Sequence, residues 1–109
     1  MPTSFSPVTS ITALDRLLDR SRQQPVVLFK HDTTCSISAA AYQELAQLPD
    51  DITLVDGAEQ NDLAQHIAAR TGIAHQSPQV IVFDDGKPIW SASLHDITAT
   101  RVEQAVHHT

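Results

Sequence analysis

The chain has 109 residues, a formal charge of −6, 41% hydrophobic residues and 18% charged residues. That length predicts one domain, 1–109, with its own core, and the composition is that of an ordinary globular protein. The acidic balance, without any run of Lys or Arg, argues against a nucleic-acid surface and against an anionic membrane partner.

Residues 1–9 read as irregular, with one short edge strand around 5–8. Ser10 or Thr9 is placed to cap a helix whose Ile11, Leu14, Leu17 and Leu18 form one apolar stripe. After Pro25, residues 26–30 are a continuously apolar strand, the pattern of a sheet covered on both faces, with Lys30 read as a strand-end charge. A second helix is expected from Cys35 or Ser36 to Leu48, carrying Ile37, Ala41, Leu45 and Leu48 on one side, with Pro49 as its stop. Residues 52–56 form the next strand and Gly57 a turn. A helix over 61–71 follows, ended by Gly72.

Residues 79–83 are a second strongly apolar strand. The run Asp84-Asp85-Gly86-Lys87 carries the Asp-Gly signal of a tight hairpin, leading to a partner strand over 88–92. A last helix is expected over 98–107, with Thr100 and Glu103 as an alternative capping box two residues later. The longest apolar runs, Val26-Val27-Leu28-Phe29 and Val80-Ile81-Val82-Phe83, fall far short of the roughly 20 residues that span a bilayer. The opening Met-Pro-Thr-Ser-Phe-Ser-Pro has no basic region followed by an apolar core, so no secretory signal is expected. With a single cysteine and hence no internal disulfide, the expected compartment is the reducing cytoplasm. This order of elements needs parallel strands first and an antiparallel hairpin last, so the expected fold is α/β: a mixed four- to five-stranded sheet between helical layers.

The one cysteine, Cys35, falls where the strand over 26–30 gives way to the second helix. Open α/β sheets place their sites at this carboxyl edge, and a helix start offers unpaired N–H groups and a favourable dipole to a thiolate. Three residues on, where a dithiol protein carries its second cysteine, stands Ser38. The chemistry expected is therefore that of one thiol: the Cys35 thiolate attacks a mixed disulfide and keeps the small thiol, and an external thiol or reductase completes the cycle. The N–H groups of Ser36, Ile37 and Ser38 are expected to stabilise the thiolate, with the Ser38 hydroxyl as a further donor to sulfur. His31 is a candidate to raise the local positive potential or shuttle a proton.

Phe29-Lys30-His31, Thr33-Thr34-Cys35, Ile37-Ser38, Ser77-Pro78-Gln79 and the run from Trp90 through Ser93 to Ile97-Thr98 resemble the small monothiol bacilliredoxins, and the resemblance spans nearly the whole chain. It implies a thioredoxin-like three-layer α/β/α sandwich. The implied task is removal of bacillithiol, a low-molecular-weight thiol, from oxidised proteins. Cys35 would be the catalytic residue, and Thr34, Ser36, Ile37, Ser38, Ser77, Pro78 and His31 would support it or bind substrate. A cis Pro78 would present the Ser77 backbone as the docking edge. The partners implied are thiolated proteins and a recycling thiol or reductase, with no bound cofactor. One departure stands out: Ser36 occupies the position where the family commonly has proline.

A solitary cysteine is also a common small hydrophobe of protein cores. Two alternatives therefore stand beside the reductase: a redox sensor or carrier without turnover, and a binding module in which Cys35 is structural. The spacing of the histidines, including adjacent His107 and His108, gives no metal-ligand pattern.

Overall fold

The computed structural model describes residues 4–57 and 61–107; residues 1–3 of the irregular start and His108 lie outside them. Nine principal elements and one 3₁₀ turn follow in order: β1 (Ser4–Pro7), α1 (Ile11–Arg20), β2 (Val26–His31), α2 (Ser36–Leu45), β3 (Asp51–Asp56), α3 (Asn61–Thr71), β4 (Gln79–Asp84), β5 (Lys87–Ser93), a 3₁₀ turn (Leu94–Asp96) and α4 (Ala99–His107). The five strands form one sheet in the order β1-β3-β2-β4-β5. β1 and β2 run parallel to β3, while β4 runs antiparallel to both β2 and β5.

Strand alternation divides the apolar residues between two layers. Val27, Phe29, Ile52, Val80 and Val82 face α2 and α4, packing on Ala41, Leu45, Val102 and Val106. Val26, Leu28, Val55, Ile81 and Phe83 face the other way, onto Leu14, Leu18, Leu63 and Ile67 of α1 and α3. The expected three-layer α/β/α arrangement is therefore observed.

Local chemistry sets the element ends. The Ser10 hydroxyl accepts the Ala13 N–H, making Ser10 the cap of α1. Thr98 caps α4 by accepting the Arg101 N–H, so the helix starts at Ala99 and the alternative box at Thr100 is not used. At the hairpin, Asp85 and Gly86 both have positive φ (54° and 77°), the conformation a two-residue type I′ turn requires. Two expectations need correction. α2 ends at Leu45, not Leu48, because the chain tightens into i→i−3 bonds (Gln47 N–H to Glu44, Leu48 N–H to Leu45) ahead of Pro49; a residue before proline resists the α conformation. β5 is longer than expected and admits Pro88 because it is an edge strand, with a register irregularity opposite, between Val82 and Phe83. Among the described residues, no helix is long and apolar enough to cross a membrane.

Candidate active site

The site forms where β2 ends and β4 begins. Because β4 is antiparallel to β2, with Lys30 opposite Gln79, the loop before β4 arrives beside the loop that leaves β2. Cys35 and Pro78 are thereby brought to the same edge of the sheet. The Ser77-Pro78 peptide bond is cis.

The loop after β2 is a locked turn. The Cys35 N–H donates to the Asp32 carbonyl (3.1 Å). The Asp32 carboxylate accepts both the Thr34 N–H (2.9 Å) and the Thr34 hydroxyl (2.6 Å). These two bonds hold the Asp32 carboxyl below its ordinary pKa. Thr34 is thus fixed by Asp32 as part of the turn. Cys35 follows as the N-cap of α2 in extended conformation (φ −109°, ψ 126°), and its carbonyl accepts the Ala39 N–H (3.0 Å). Its side chain makes no capping bond and is partly exposed. The N–H groups of Ser36, Ile37 and Ser38 precede the first helical bond, so helix geometry leaves them without intrahelical acceptors.

Ser38 behaves differently from the expectation. It is fully buried, and its hydroxyl oxygen accepts the Asp32 N–H (2.9 Å) and lies 2.6 Å from Nδ1 of His31. The hydroxyl braces the turn from below, and among the described residues no hydrogen bond joins it to the sulfur. His31 is also buried, its ring stacked on Phe29 (centroids 5.1 Å) and tilted against Tyr42 (5.3 Å). Burial pushes its pKa down, partly opposed by Asp56 and Asp32. It is a packed, neutral partner of Ser38, and a solvated proton shuttle is not what the geometry provides.

On the other loop, the Ser77 hydroxyl is buried, with no hydrogen-bond partner among the described residues. It lies about where it would touch a side chain at Gly57 (3.4 Å from an added Cβ). The Gly57 N–H donates to the His31 carbonyl (2.8 Å), and the Pro78 carbonyl accepts the Leu94 N–H (3.0 Å). Leu94 was not among the candidate site residues, whereas Ile37 was. Leu94 is 40% exposed with φ +56°, an uncommon conformation for a bulky residue. With Ile37, Ala40, His95 and Thr98 it borders a groove of about 240 Å³ along the start of α2. The only sequence signal was a lone apolar residue in the polar run Ser93-Leu94-His95-Asp96. Among the described residues, no three His, Cys, Asp or Glu side chains are grouped to hold a metal ion.

A five-stranded sheet flanked by paired helices, with a partly exposed cysteine capping the helix after the central strand and a cis-proline loop beside it, defines a thioredoxin-fold thiol protein. The sequence pattern of the family described as Monothiol bacilliredoxin BrxC matches residues 6–102, and the chain belongs to that family. Among solved structures, a proposed oxidoreductase with a thioredoxin fold superposes with a TM-score of 0.87 at 28% identity, covering 93% of this chain and 92% of the other. Mitochondrial thioredoxin 3 from Saccharomyces cerevisiae, in its oxidised form, gives 0.76 at 18% identity, covering 96% and 95%. A structure from work on the yeast mitochondrial 1-Cys peroxiredoxin and its resolution through glutathione and thioredoxin systems gives 0.75 at 19%, covering 97% and 96%. The last two establish the fold. Family membership and the oxidoreductase neighbour support a thiol–disulfide redox role.

Proposed function

We propose that this protein is a cytoplasmic monothiol reductase that takes a low-molecular-weight thiol, bacillithiol, off oxidised proteins. The observation that carries the reading is the contrast within the first turn of α2. Cys35 is partly exposed and free of capping bonds, while the residue in the resolving position, Ser38, is buried and bound to His31 and Asp32.

In the proposed step the Cys35 thiolate attacks the small-thiol sulfur of a protein mixed disulfide. A new disulfide forms between Cys35 and the small thiol, and the protein sulfur leaves as a thiolate that takes a proton from solvent. Backbone N–H groups of residues 36–38 stabilise the attacking sulfur, and the Ser77 backbone pairs with the bound partner. With no second cysteine in the chain, an external thiol or a partner reductase must attack the Cys35 mixed disulfide to regenerate the thiol. Neither a metal nor an organic cofactor enters these steps.

Reduced protein incubated with model mixed disulfides of bacillithiol and of glutathione, then weighed intact, tests this. A mass gain of one small thiol, absent in Cys35→Ser and faster with bacillithiol, is the expected result. Faster reaction with glutathione would correct the thiol. Accumulation of the adduct without release by added thiol would leave a sensor, and a thiol inert to both disulfides and to alkylation would overturn the redox reading.

A further inference from the structure

The sequence pattern predicts Lys30 to be a strand-end charge, whereas it is fully buried. Strand alternation sends it to the face opposite His31, beneath the loop between α3 and β4. Among the described residues no carboxylate pairs with it, and burial alone lowers its pKa to about 8. Among those residues its one polar side-chain contact is His75, whose Nδ1 lies 3.0 Å from Nζ. A lysine ammonium can only donate, so His75 must accept through Nδ1 and carry its own proton on Nε2. His75 itself is exposed, so the imidazole roofs the amine.

A second side chain grips the same loop. Gln79 is opposite Lys30 in the β2–β4 ladder and 2% exposed, and its Nε2 donates to the Ala74 carbonyl (3.0 Å) and to the Ser93 hydroxyl (3.4 Å). Two neighbouring, buried polar residues on adjacent strands therefore rise from the sheet to hold two consecutive loop residues. Three residues beyond His75 comes cis Pro78, and Ser77 stands between. A buried lysine with no carboxylate partner among the described residues is costly, and such groups concentrate at functional sites.

We propose that Lys30 and Gln79 are positioning residues. Acting through His75 and Ala74, they fix the loop so that the Ser77 backbone edge meets a disulfide-bonded partner at Cys35. This rests on the thiol-exchange reading above; the existence of the latch itself does not.

The test compares the wild type with Lys30→Met, His75→Ala and His75→Gln. Ring-nitrogen NMR should find His75 of the wild type in the single tautomer with Nδ1 accepting, and Lys30→Met should return it to a mixture. Backbone relaxation should show residues 73–77 losing order in Lys30→Met and His75→Ala. With a test protein carrying bacillithiol or glutathione on one cysteine, KM should rise about tenfold in both variants, the scale of one charged hydrogen bond. Their kcat and the alkylation rate of Cys35 should stay unchanged. His75→Gln, which keeps an acceptor, should restore most of the KM, and the Lys30→Met/His75→Ala double variant should be no worse than either single one.

A tautomer mixture in the wild type, or unchanged loop order in the variants, would overturn the latch. Loop disorder without a KM change would overturn its positioning role. A wild type that turns over neither mixed disulfide would sink the functional reading instead, and the latch would then be decided by the NMR arm. Should Lys30→Met fail to fold, His75→Ala, at an exposed residue, carries the comparison.

Discussion

Lys30 and His31 are neighbours at the end of β2, both polar and both buried, and each ties down one of the two loops that meet at the site. Because successive strand residues point to opposite faces, His31 reaches the cysteine turn through Ser38, while Lys30 reaches the cis-proline loop through His75. Their environments differ in kind. His31 is stacked on Phe29 and tilted against Tyr42, with Asp32 and Asp56 close enough to favour its charge. Lys30 has, among the described residues, only the His75 imidazole as a polar partner, and burial lowers its pKa. One bracket is compatible with a stable fold; the other is held at the fold's expense.

The sharpest way to break that contrast is to remove the amine. The folded pKa of Lys30 is depressed from 10.5 to about 8, so between those values the unfolded chain binds more protons and stability rises with pH. The contribution is complete above pH 10.5 and is lost as pH falls through 8, which amounts to at most about 3 kcal/mol. Against this stands the charged bond to His75, worth about 1.5 kcal/mol. Lys30→Met is therefore expected to be more stable than the wild type by about 1–2 kcal/mol at pH 7, although its loop is looser. The gain should vanish as pH is raised from 8 to 10.5, as read by denaturant midpoints across that range. A variant destabilised at pH 7, or a pH-independent difference, would show that burial of the charge costs nothing.

On the histidine side the effect should be smaller and of opposite sign. Ser38→Ala leaves the half-buried Asp32 N–H and the buried His31 Nδ1 without their partner, and an unsatisfied buried group costs about 1–3 kcal/mol. We expect a loss at the low end of that range, about 1 kcal/mol, with Cys35 still alkylated in the native state. Unchanged stability would mean that the serine merely fills space.

These two residues also mark how far the sequence could be read. The strands, the paired helices and the Asp-Gly hairpin were legible because each has a period or a turn chemistry of its own: Val80-Ile81-Val82-Phe83 has no alternative to a covered strand, and Gly72 and Gly86 sit at positive φ. The place of Cys35 at a helix start was legible for the same reason. Lys30 was not, because nothing local distinguishes a lysine that ends in solvent from one roofed by a loop forty-five residues away. Ser38 was misread as a donor to sulfur for a related reason. Its position in the helix follows from spacing, but which neighbour takes its hydroxyl depends on a histidine seven residues earlier. The backbone of Leu94, at positive φ, is likewise tied to a long-range partner, the Pro78 carbonyl.

The smallest expected effect concerns Ser36, at the position where the family resemblance implies proline. Ser36 is the first residue of α2 and is exposed. Proline is favoured there because the first helical N–H has no intrahelical acceptor and the required φ is already set. Ser36→Pro should accordingly stabilise the fold by about 0.4–1 kcal/mol through the unfolded chain, measurable as a small rise in denaturant midpoint. It also deletes one of the three N–H groups at the helix start that have no intrahelical acceptor, so alkylation of Cys35 at a fixed pH should slow. The two readouts separate the roles of the position. A stability gain with an unchanged alkylation rate would mean that the dipole and the remaining N–H groups suffice. A clear slowing would mean that this chain uses a backbone donor at residue 36 that a proline at that position lacks.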